Sequence, residues 1–346
     1  MPELKTSTPI DSAAFAPLRQ AALEQAQSFD LPVLHDDASG VSVQSVYGRM
    51  TLRVDRRGAC AAEIIAERAD FLQTLKDSLV GQLDAACPGA ARALRWSDGA
   101  GEGALPANAR LMTVHDVSDL GCGFLRVTLS GDVSRFSEDS IHFRLGLPPS
   151  GAHRPVWPQV GANGATVWPK GEQALHLPVY TARKVSKDTG LLEIDIFKHE
   201  GGRATEWASS AGPGEEVVAV GPGGGGSTVT GPIDGYADDT AFPAVARILE
   251  DNPDLSGKIR LYPSGPESRD YAFPAHPGVA MEMHAPSRRE AMAEDACAGM
   301  EAGDDMFLWF AGERRQADSV RKAWKQRGGD TGRAYVAAYW QDNRPL

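Results

Sequence analysis

Cysteine is scarce in this sequence of 346 residues, which holds only Cys60, Cys87, Cys122 and Cys297. They are too scattered for a CxxC pair, a Cys/His zinc spacing, a disulfide framework or an iron–sulfur cluster held by this chain alone. Positive charge is also short, with 35 Lys and Arg against 46 Asp and Glu, a net charge of −11. That balance excludes a general nucleic-acid backbone binder and leaves anion binding to local sites. No apolar run approaches the roughly 20 residues that cross a bilayer, so no membrane insertion is expected. The opening Met1-Pro2-Glu3-Leu4-Lys5-Thr6 lacks the apolar core of a signal peptide, and the expected location is the cytoplasm. Histidines such as His115, His142, His153, His176, His199, His276 and His284 show no HxxxH or HExxH spacing, and no metal site is expected. A GxSxG nucleophile sequence is absent as well.

What is present is the composition of a soluble globular protein, 42% hydrophobic and 23% charged, with length for two or three domains. Residues 1–100 read as a small α+β accessory domain. Phe15, Leu18, Ala22 and Leu23 have helical spacing. Met50-Leu52-Val54 and Cys60-Ala62-Ile64 flank the turn Asp55-Arg56-Arg57-Gly58 and predict a hairpin. Phe71, Leu75, Leu79 and Leu83 predict a helix, with Asp70 placed to cap it and Pro88-Gly89 to end it. The glycine-rich stretch Ser97-Asp98-Gly99-Ala100-Gly101-Glu102-Gly103 reads as a linker.

From 104 to 232 the rhythm is period two. Leu125-Val127-Leu129, Ile141-Phe143-Leu145-Leu147, Leu175-Leu177-Val179 and Leu192-Ile194-Ile196 each place apolar side chains on one face, which predicts an antiparallel barrel or sandwich. Gly221-Pro222-Gly223-Gly224-Gly225-Gly226-Ser227 lacks the Lys and the following helix of a phosphate loop. From 233 to 346 helices and strands alternate. Ile259–Tyr262, Val279–Met283, Met306–Phe310 and Ala334–Trp340 read as strands of a parallel sheet, and Ser287-Arg288-Arg289-Glu290 has capping-box spacing. A barrel followed by a small α/β domain is the outline of a flavin reductase.

Two stretches carry candidate chemistry. In Leu177-Pro178-Val179-Tyr180-Thr181-Ala182-Arg183, Tyr180 presents a ring and Thr181 a hydroxyl at one strand end, and such a ring can flank a planar cofactor. In Leu192–His199 a strand runs into Glu200-Gly201-Gly202-Arg203-Ala204-Thr205-Glu206-Trp207-Ala208, a glycine turn that opens a helix. The free N–H groups of a first helical turn suit a pyrophosphate better than a metal.

The ordered series Tyr180-Thr181-x-Arg183, Gly190 to His199, Gly202-x-Ala204-x-x-Trp207-Ala208, Pro213-Gly214-Glu215, Gly221-Pro222, Asp239-x-Ala241-x-Pro243-Ala244, Ala311-Gly312-Glu313 and Ala338-Tyr339-Trp340 resembles the siderophore-interacting protein family. That family consists of flavin-dependent ferric-siderophore reductases of the ferredoxin reductase superfamily. The resemblance covers about 108–346, and residues 30–96 resemble a small domain of unknown function found beside such reductases.

The resemblance implies a multidomain fold, with an α+β N-terminal domain, an antiparallel β-barrel FAD-binding domain and an α/β NAD(P)H-binding domain. It implies FAD, with Tyr180 against the isoalloxazine and Thr181 near its reactive nitrogen, and no acid or base residue is required. His199, Gly202, Ala204 and Thr205 would border the pyrophosphate, while Asp239, Thr240 and Glu313 would face the nicotinamide side. The implied reaction draws electrons from NAD(P)H and reduces a ferric siderophore or ferric chelate to release Fe(II). Lys184, Lys187, Arg314 and Arg315 are candidates to attract an anionic chelate. The sequence departs from the family at Pro178, where an Arg usually neutralises the FAD phosphates. Arg183, Lys184 or Arg203 would then supply the charge, or the chain is a siderophore or iron-chelate binding protein with weak or no FAD. A flavin reductase fed by ferredoxin is the remaining alternative.

Overall fold

The computed structural model describes residues 3–29, 31–99, 101–136, 140–152, 154–300 and 305–342. Ala100 of the glycine-rich stretch and His153 lie outside the described residues. The chain forms two compact units, Met1–Arg110 with Pro148–Leu175, and Leu111–Leu147 with His176–Leu346.

The first unit is an antiparallel sheet in the order Leu4–Ile10, Cys60–Ala66, Gly48–Val54, Gly40–Ser45, Val33–Asp37, with helices Ser12–Ser28 and Ala69–Ala86. In the expected hairpin, Asp55 accepts the backbone N–H of Arg57 and Ala59, and Gly58 turns with φ of +82°. Leu75, Leu79 and Leu83 are buried as the four-residue spacing requires. Asp70 does not cap the second helix. The N-cap is Arg68, and Asp70 sits buried in the first turn, where its carboxylate accepts from Arg68 Nε at 3.0 Å and Nη2 at 2.6 Å. A carboxylate there still complements the positive helix end.

Residues 148–175, which the period-two rhythm assigns with the barrel, pack in the first unit. Trp96 Nε1 donates to the Asn163 carbonyl at 2.8 Å, and Gln73 donates to the Gly164 carbonyl at 3.0 Å. Asp77 accepts both the amide and the hydroxyl of Thr166 at 2.7 and 2.8 Å. Gly164 has φ of +74° and lies so close to Trp96 that a Cβ would come within 2.4 Å of the indole.

The second unit begins with a seven-stranded sheet in the order Val179–Thr181, His142–Gly146, Glu216–Gly223, Ala109–Asp119, Phe124–Gly131, Leu191–Phe197, Lys184–Ser186. The two edge strands are neighbours in sequence, so the sheet curls into a barrel-like layer around Val127, Leu129, Phe143, Leu145, Leu192 and Ile194. The expected strand through Leu175, Leu177 and Val179 is shorter than its alternation suggests. Only Val179–Thr181 pairs as a strand, and Val179 is 54% exposed. Pro178 has no N–H to give a ladder, and only its carbonyl is used, accepting from Leu145.

The parallel sheet that follows runs Val279–Met283, Gly257–Tyr262, Ile233–Asp238, Phe307–Glu313, Ala334–Trp340. Its central strand comes first in the chain, and the order reverses beside it, which places a crevice at the C-terminal strand ends. The Ser287 capping box is not formed. Pro286–Ala291 is a tight 3₁₀ turn with no side-chain cap, and the α-helix starts only at Met292. Pro286 fixes the entry and leaves a bend before the α-helix.

The barrel layer and the parallel sheet are joined by polar anchors. Asp195, with a fully buried side chain, accepts from Arg126 Nε and Nη2 at 2.7 and 2.8 Å and from the Tyr271 hydroxyl at 2.6 Å. Arg183 forms a two-point ion pair with Glu250 at 2.6 and 2.8 Å, and Arg247 donates to the Ala182 carbonyl. Phe124, Phe242 and Tyr271 pack their rings within the same seam. Removing one member of a buried, satisfied ion pair strands the other charge. Asp195→Ala should therefore lower unfolding free energy by about 3 to 5 kcal/mol, and Tyr271→Phe by about 1 to 3 kcal/mol. Urea unfolding followed by tryptophan fluorescence checks both, and wild-type stability in Asp195→Ala would contradict the anchor.

Candidate active site

A cavity of about 580 Å³ opens in the second unit, where barrel strands meet the C-terminal end of the parallel sheet. Its size falls within the range of small-molecule sites. From the barrel side come His142, Pro178, Tyr180, Thr181, Phe197 and His199, and from the helix start Gly202, Arg203 and Ala204. The sheet side supplies Thr240, Tyr335, Tyr339 and Trp340.

The strand Leu191–Phe197 ends at His199 and turns through Gly201, φ +70°, into helix Arg203–Ser210. The His199 amide donates to the Thr205 hydroxyl at 3.3 Å, which ties the strand end to the helix. No side chain caps this helix, so its first N–H groups lack an intrahelical partner, and Gly202, Arg203 and Ala204 at its start line the cavity. A Cβ on Gly202 would come within 2.5 Å of the His199 ring. The glycine is thus required first by the imidazole packed on the turn. Arg203 is exposed, lines the cavity and makes no ion pair with a described carboxylate. Its charge is a secondary cause, after burial, of the lowered pKa of His176 on the same wall.

Tyr180 lies half-buried against the barrel core, and burial pushes its phenol well above the ordinary range. Thr181 is directly opposite His142 in the strand register. Its Oγ1 stands 3.4 Å from His142 Nδ1, while His142 Nε2 meets the Tyr339 hydroxyl at 2.9 Å and the Tyr335 hydroxyl at 3.3 Å. Burial, helped by the nearby Arg247 guanidinium, pulls the His142 pKa down to about 4. Burial likewise raises both tyrosines. Gly225 makes room for the wall, since a Cβ there would fall 2.3 Å from the Tyr335 ring.

On the sheet side, buried Asp238 accepts the Thr240 amide and hydroxyl at 3.0 and 2.6 Å and the Trp340 indole N–H at 2.6 Å. Arg289 lies over the Trp340 ring at 4.8 Å. Burial outweighs these partners and raises the Asp238 pKa.

Of the residues expected at the site, Tyr180, Thr181, His199, Gly202, Arg203, Ala204 and Thr240 line the cavity. Arg183 does not line it and is held by Glu250. Thr205 closes the turn behind the lining. Asp239 accepts the Ser264 amide, and Glu313 caps helix Arg314–Gln326 through the Arg315 and Gln316 amides. Lys184, Lys187, Arg314 and Arg315 are exposed outside the lining. Among the described residues no group of three His, Cys, Asp or Glu could hold a metal, and no helix is long and apolar enough to cross a membrane.

Sequence reasoning missed His142, Asp195, Tyr335 and the bonding of Tyr339. The four-residue spacing of Tyr335 and Tyr339 on one strand puts both rings on one face and was a usable signal. His142 had none, because its partners lie 39 and 197 residues away.

Residues 113–226 match the siderophore-interacting FAD-binding domain, and residues 236–343 match the siderophore-interacting protein domain. A relative from Escherichia coli, the NADPH-dependent ferric-chelate reductase, is 31% identical over 248 residues, covering 67% of this chain and 92% of that protein. The chain belongs to the siderophore-interacting protein family. A ferric vibriobactin reductase of Vibrio cholerae is 28% identical over 213 residues, 57% of this chain and 76% of its own length. Among solved structures, a siderophore utilization protein from T. fusca aligns with a TM-score of 0.59 at 25% identity, covering 68% of this chain and 94% of that one. The siderophore-interacting protein SipS of Aeromonas hydrophila shares the fold at a TM-score of 0.57 and 22% identity, covering 69% and 93% of the two chains.

A family member with His142 buried neutral should lose stability in acid. The unfolded imidazole titrates near 6.5 and the folded one near 4. This contribution is complete above about pH 6.5, falls as pH drops through that window and stops falling below about pH 4, a loss of up to about 3 kcal/mol. Replacing His142 by Gln should flatten that part of the urea-unfolding profile between pH 7 and 4. An unchanged difference between the two pH values would contradict the buried neutral ring.

Proposed function

We propose that the chain binds FAD in this cavity and, with electrons from NAD(P)H, reduces Fe(III) held by a siderophore or other chelator to Fe(II). The observation that carries the reading is one cavity that unites an uncapped helix start, Arg203 with no ion pair to a described carboxylate, and aromatic walls. The residues fit the group. Helix amides and a cation suit a pyrophosphate, and Tyr180, Phe197, Tyr335, Tyr339 and Trp340 suit a flat ring. FAD, when bound, supplies what side chains cannot, acceptance of a hydride and release of single electrons.

The protein's part is placement. Gly202, Arg203 and Ala204 hold the phosphates, Tyr180 covers the ring, and Thr181 offers a hydroxyl beside it. Asp238 fixes Thr240 and Trp340, which border the side open to the nicotinamide. A chelator binds Fe(III) through hard oxygen donors, and the softer Fe(II) leaves that set more easily, so reduction is release. Arg203 takes the place of the cation that Pro178 cannot supply.

The test is to mix the full chain with FAD, NADPH or NADH and a ferric chelate in the presence of a Fe(II) trap. Fe(II) should accumulate as the nicotinamide is oxidised, and no FAD-dependent Fe(II) would contradict the proposal. A charge-assisted bond to phosphate is worth about 1.5 to 3 kcal/mol, so Arg203→Ala should weaken FAD about 10- to 100-fold in an equilibrium titration, with Pro178→Arg nearly silent in the wild type. Full affinity in Arg203→Ala would remove that residue from the phosphate site. Tyr180→Ala should shift the bound-flavin spectrum or lower occupancy, since ring stacking contributes about 0.5 to 1.5 kcal/mol beyond burial.

A further inference from the structure

We infer that the first unit carries a binding site for a quaternary ammonium compound, lined by the indoles of Trp157 and Trp168 and by the carboxylate of Glu102. This goes beyond the reductase reading and does not rest on it. The cavity measures about 340 Å³, and every lining residue belongs to the first unit. That volume is within the range of small-molecule sites.

The sequence supplies the walls twice. The tripeptide Val-Trp-Pro occurs at 156–158 and again at 167–169, before and at the end of the hairpin in which Gln159–Val160 pairs with Thr166–Val167. A proline after each tryptophan holds that tryptophan's backbone extended, so little ordering is left for a ligand to impose. The inner side of the hairpin is committed to the core. Val160 and Ala165 are buried, Asp77 accepts the Thr166 amide and hydroxyl, and Trp96 donates to the Asn163 carbonyl. Its other side stays apolar in water, with Val156 46% and Val167 54% exposed and both indoles half-buried. A Cβ on Gly161 would fall 2.7 Å from Val167 Cγ2, so glycine is what lets this valine lie across the strand. The Gly103 amide donates to the Val160 carbonyl at 2.8 Å and the Val160 amide to the Ala104 carbonyl at 2.9 Å, which holds Glu102 beside the hairpin.

The chemistry of the lining selects the ligand. Glu102 is the one charged residue in that lining, and among the described residues it has no ion pair. Neither indole N–H donates to a described residue, and no described cation or aromatic ring packs on either indole. Elsewhere the chain fills such faces itself, with Lys76 Nζ 5.3 Å from the Trp96 ring and the Arg289 guanidinium 4.8 Å from the Trp340 ring. Arg154 and Lys170, the nearest cations in sequence, are exposed outside the lining. Two π faces and a carboxylate attract a cation. Hydrogen-bond acceptors are few, because the Val160 and Gly161 carbonyls already take the Gly103 and Gly164 amides. A primary ammonium or a guanidinium brings several N–H donors that would lose water without replacement. A quaternary ammonium has none to satisfy, and its methyl groups suit the valines and Pro169 of the lining. An anionic ferric chelate meets the wrong charge here, so the site is not a second place for the substrate of reduction.

The experiment is isothermal titration of the full chain with choline and, for the head group alone, tetramethylammonium. Choline should bind with a Kd of about 1 mM or tighter, a strength within reach of so few atoms. Its neutral carbon isostere, dimethylbutanol, and its unmethylated parent, ethanolamine, should each bind at least about tenfold more weakly. Trp157→Leu and Trp168→Leu keep apolar bulk but remove a π face, and each should weaken choline about tenfold, with Glu102→Gln weakening it about threefold or more. Co-flotation with phosphatidylcholine vesicles that is lost in Trp157→Leu would assign the head group to a lipid, and a chain that binds choline but stays in solution assigns it to a free solute. Both support the ammonium site. No choline binding, equal affinity for dimethylbutanol, or a preference for catechol would overturn it, the last two in favour of a plain apolar pocket or a ring-binding one. If a tryptophan variant fails to fold, the wild-type ligand series and Glu102→Gln decide on the same criteria.

Discussion

The buried carboxylate of Asp195 holds the catalytic half of the molecule together. It belongs to a barrel strand, and its partners are Arg126 on the adjacent strand and Tyr271 from the parallel-sheet segment. Its cost of desolvation is offset only if all three groups keep their geometry, so the contact is both a joint and a gauge. The Arg183–Glu250 pair and the Arg247 bond to the Ala182 carbonyl flank the same seam. With the layers fixed there, Thr240 and Trp340 at the C-terminal side of the parallel sheet come to line one cavity with the barrel residues Tyr180 and Thr181. The cavity is the space that this joint leaves open.

Within that space the chain answers its own charge problem locally. A protein of net charge −11 repels anions at long range, yet the lining offers helix amides and Arg203 with no described carboxylate paired to it. Carboxylates near the site are occupied elsewhere, Asp238 by Thr240 and Trp340, Glu313 by a helix start, Asp195 by Arg126. The polar row from Thr181 to Tyr335 stays neutral because burial disfavours every charged form in it.

Much of the frame was legible from periodicity. Alternating strands, the glycine turn before Arg203 and the strand–helix rhythm after 233 all depend on neighbours close in sequence. What escaped depends on distance or on polar burial. The first strand, Leu4–Ile10, buries Thr6 and Thr8 and so carries no apolar alternation to read. Residues 148–175 join the first unit through Asp77, Gln73 and Trp96, partners that no local pattern announces. In the site, motif residues fell on the lining where their neighbours were local, as for Gly202 and Tyr180. Arg183 was legible as a cation near Tyr180, but its pairing to Glu250, 67 residues on, was not. Glu313 and Thr205 sit in motif positions and serve as cap and tie, Glu313 accepting the Arg315 and Gln316 amides at a helix start and the Thr205 hydroxyl accepting the His199 amide at the strand end.

The central claim is that one cavity, framed by the Asp195 joint, receives FAD with its phosphates on the Gly202–Ala204 turn and its ring on Tyr180. A crystal structure of the full chain with FAD tests this most directly. The account predicts electron density for the dinucleotide in that cavity, with the pyrophosphate at the first-turn amides and Arg203 and the ring system between Tyr180 and the Tyr335–Trp340 strand. Flavin bound away from these residues, or phosphates held by Arg183 after its release from Glu250, would contradict it.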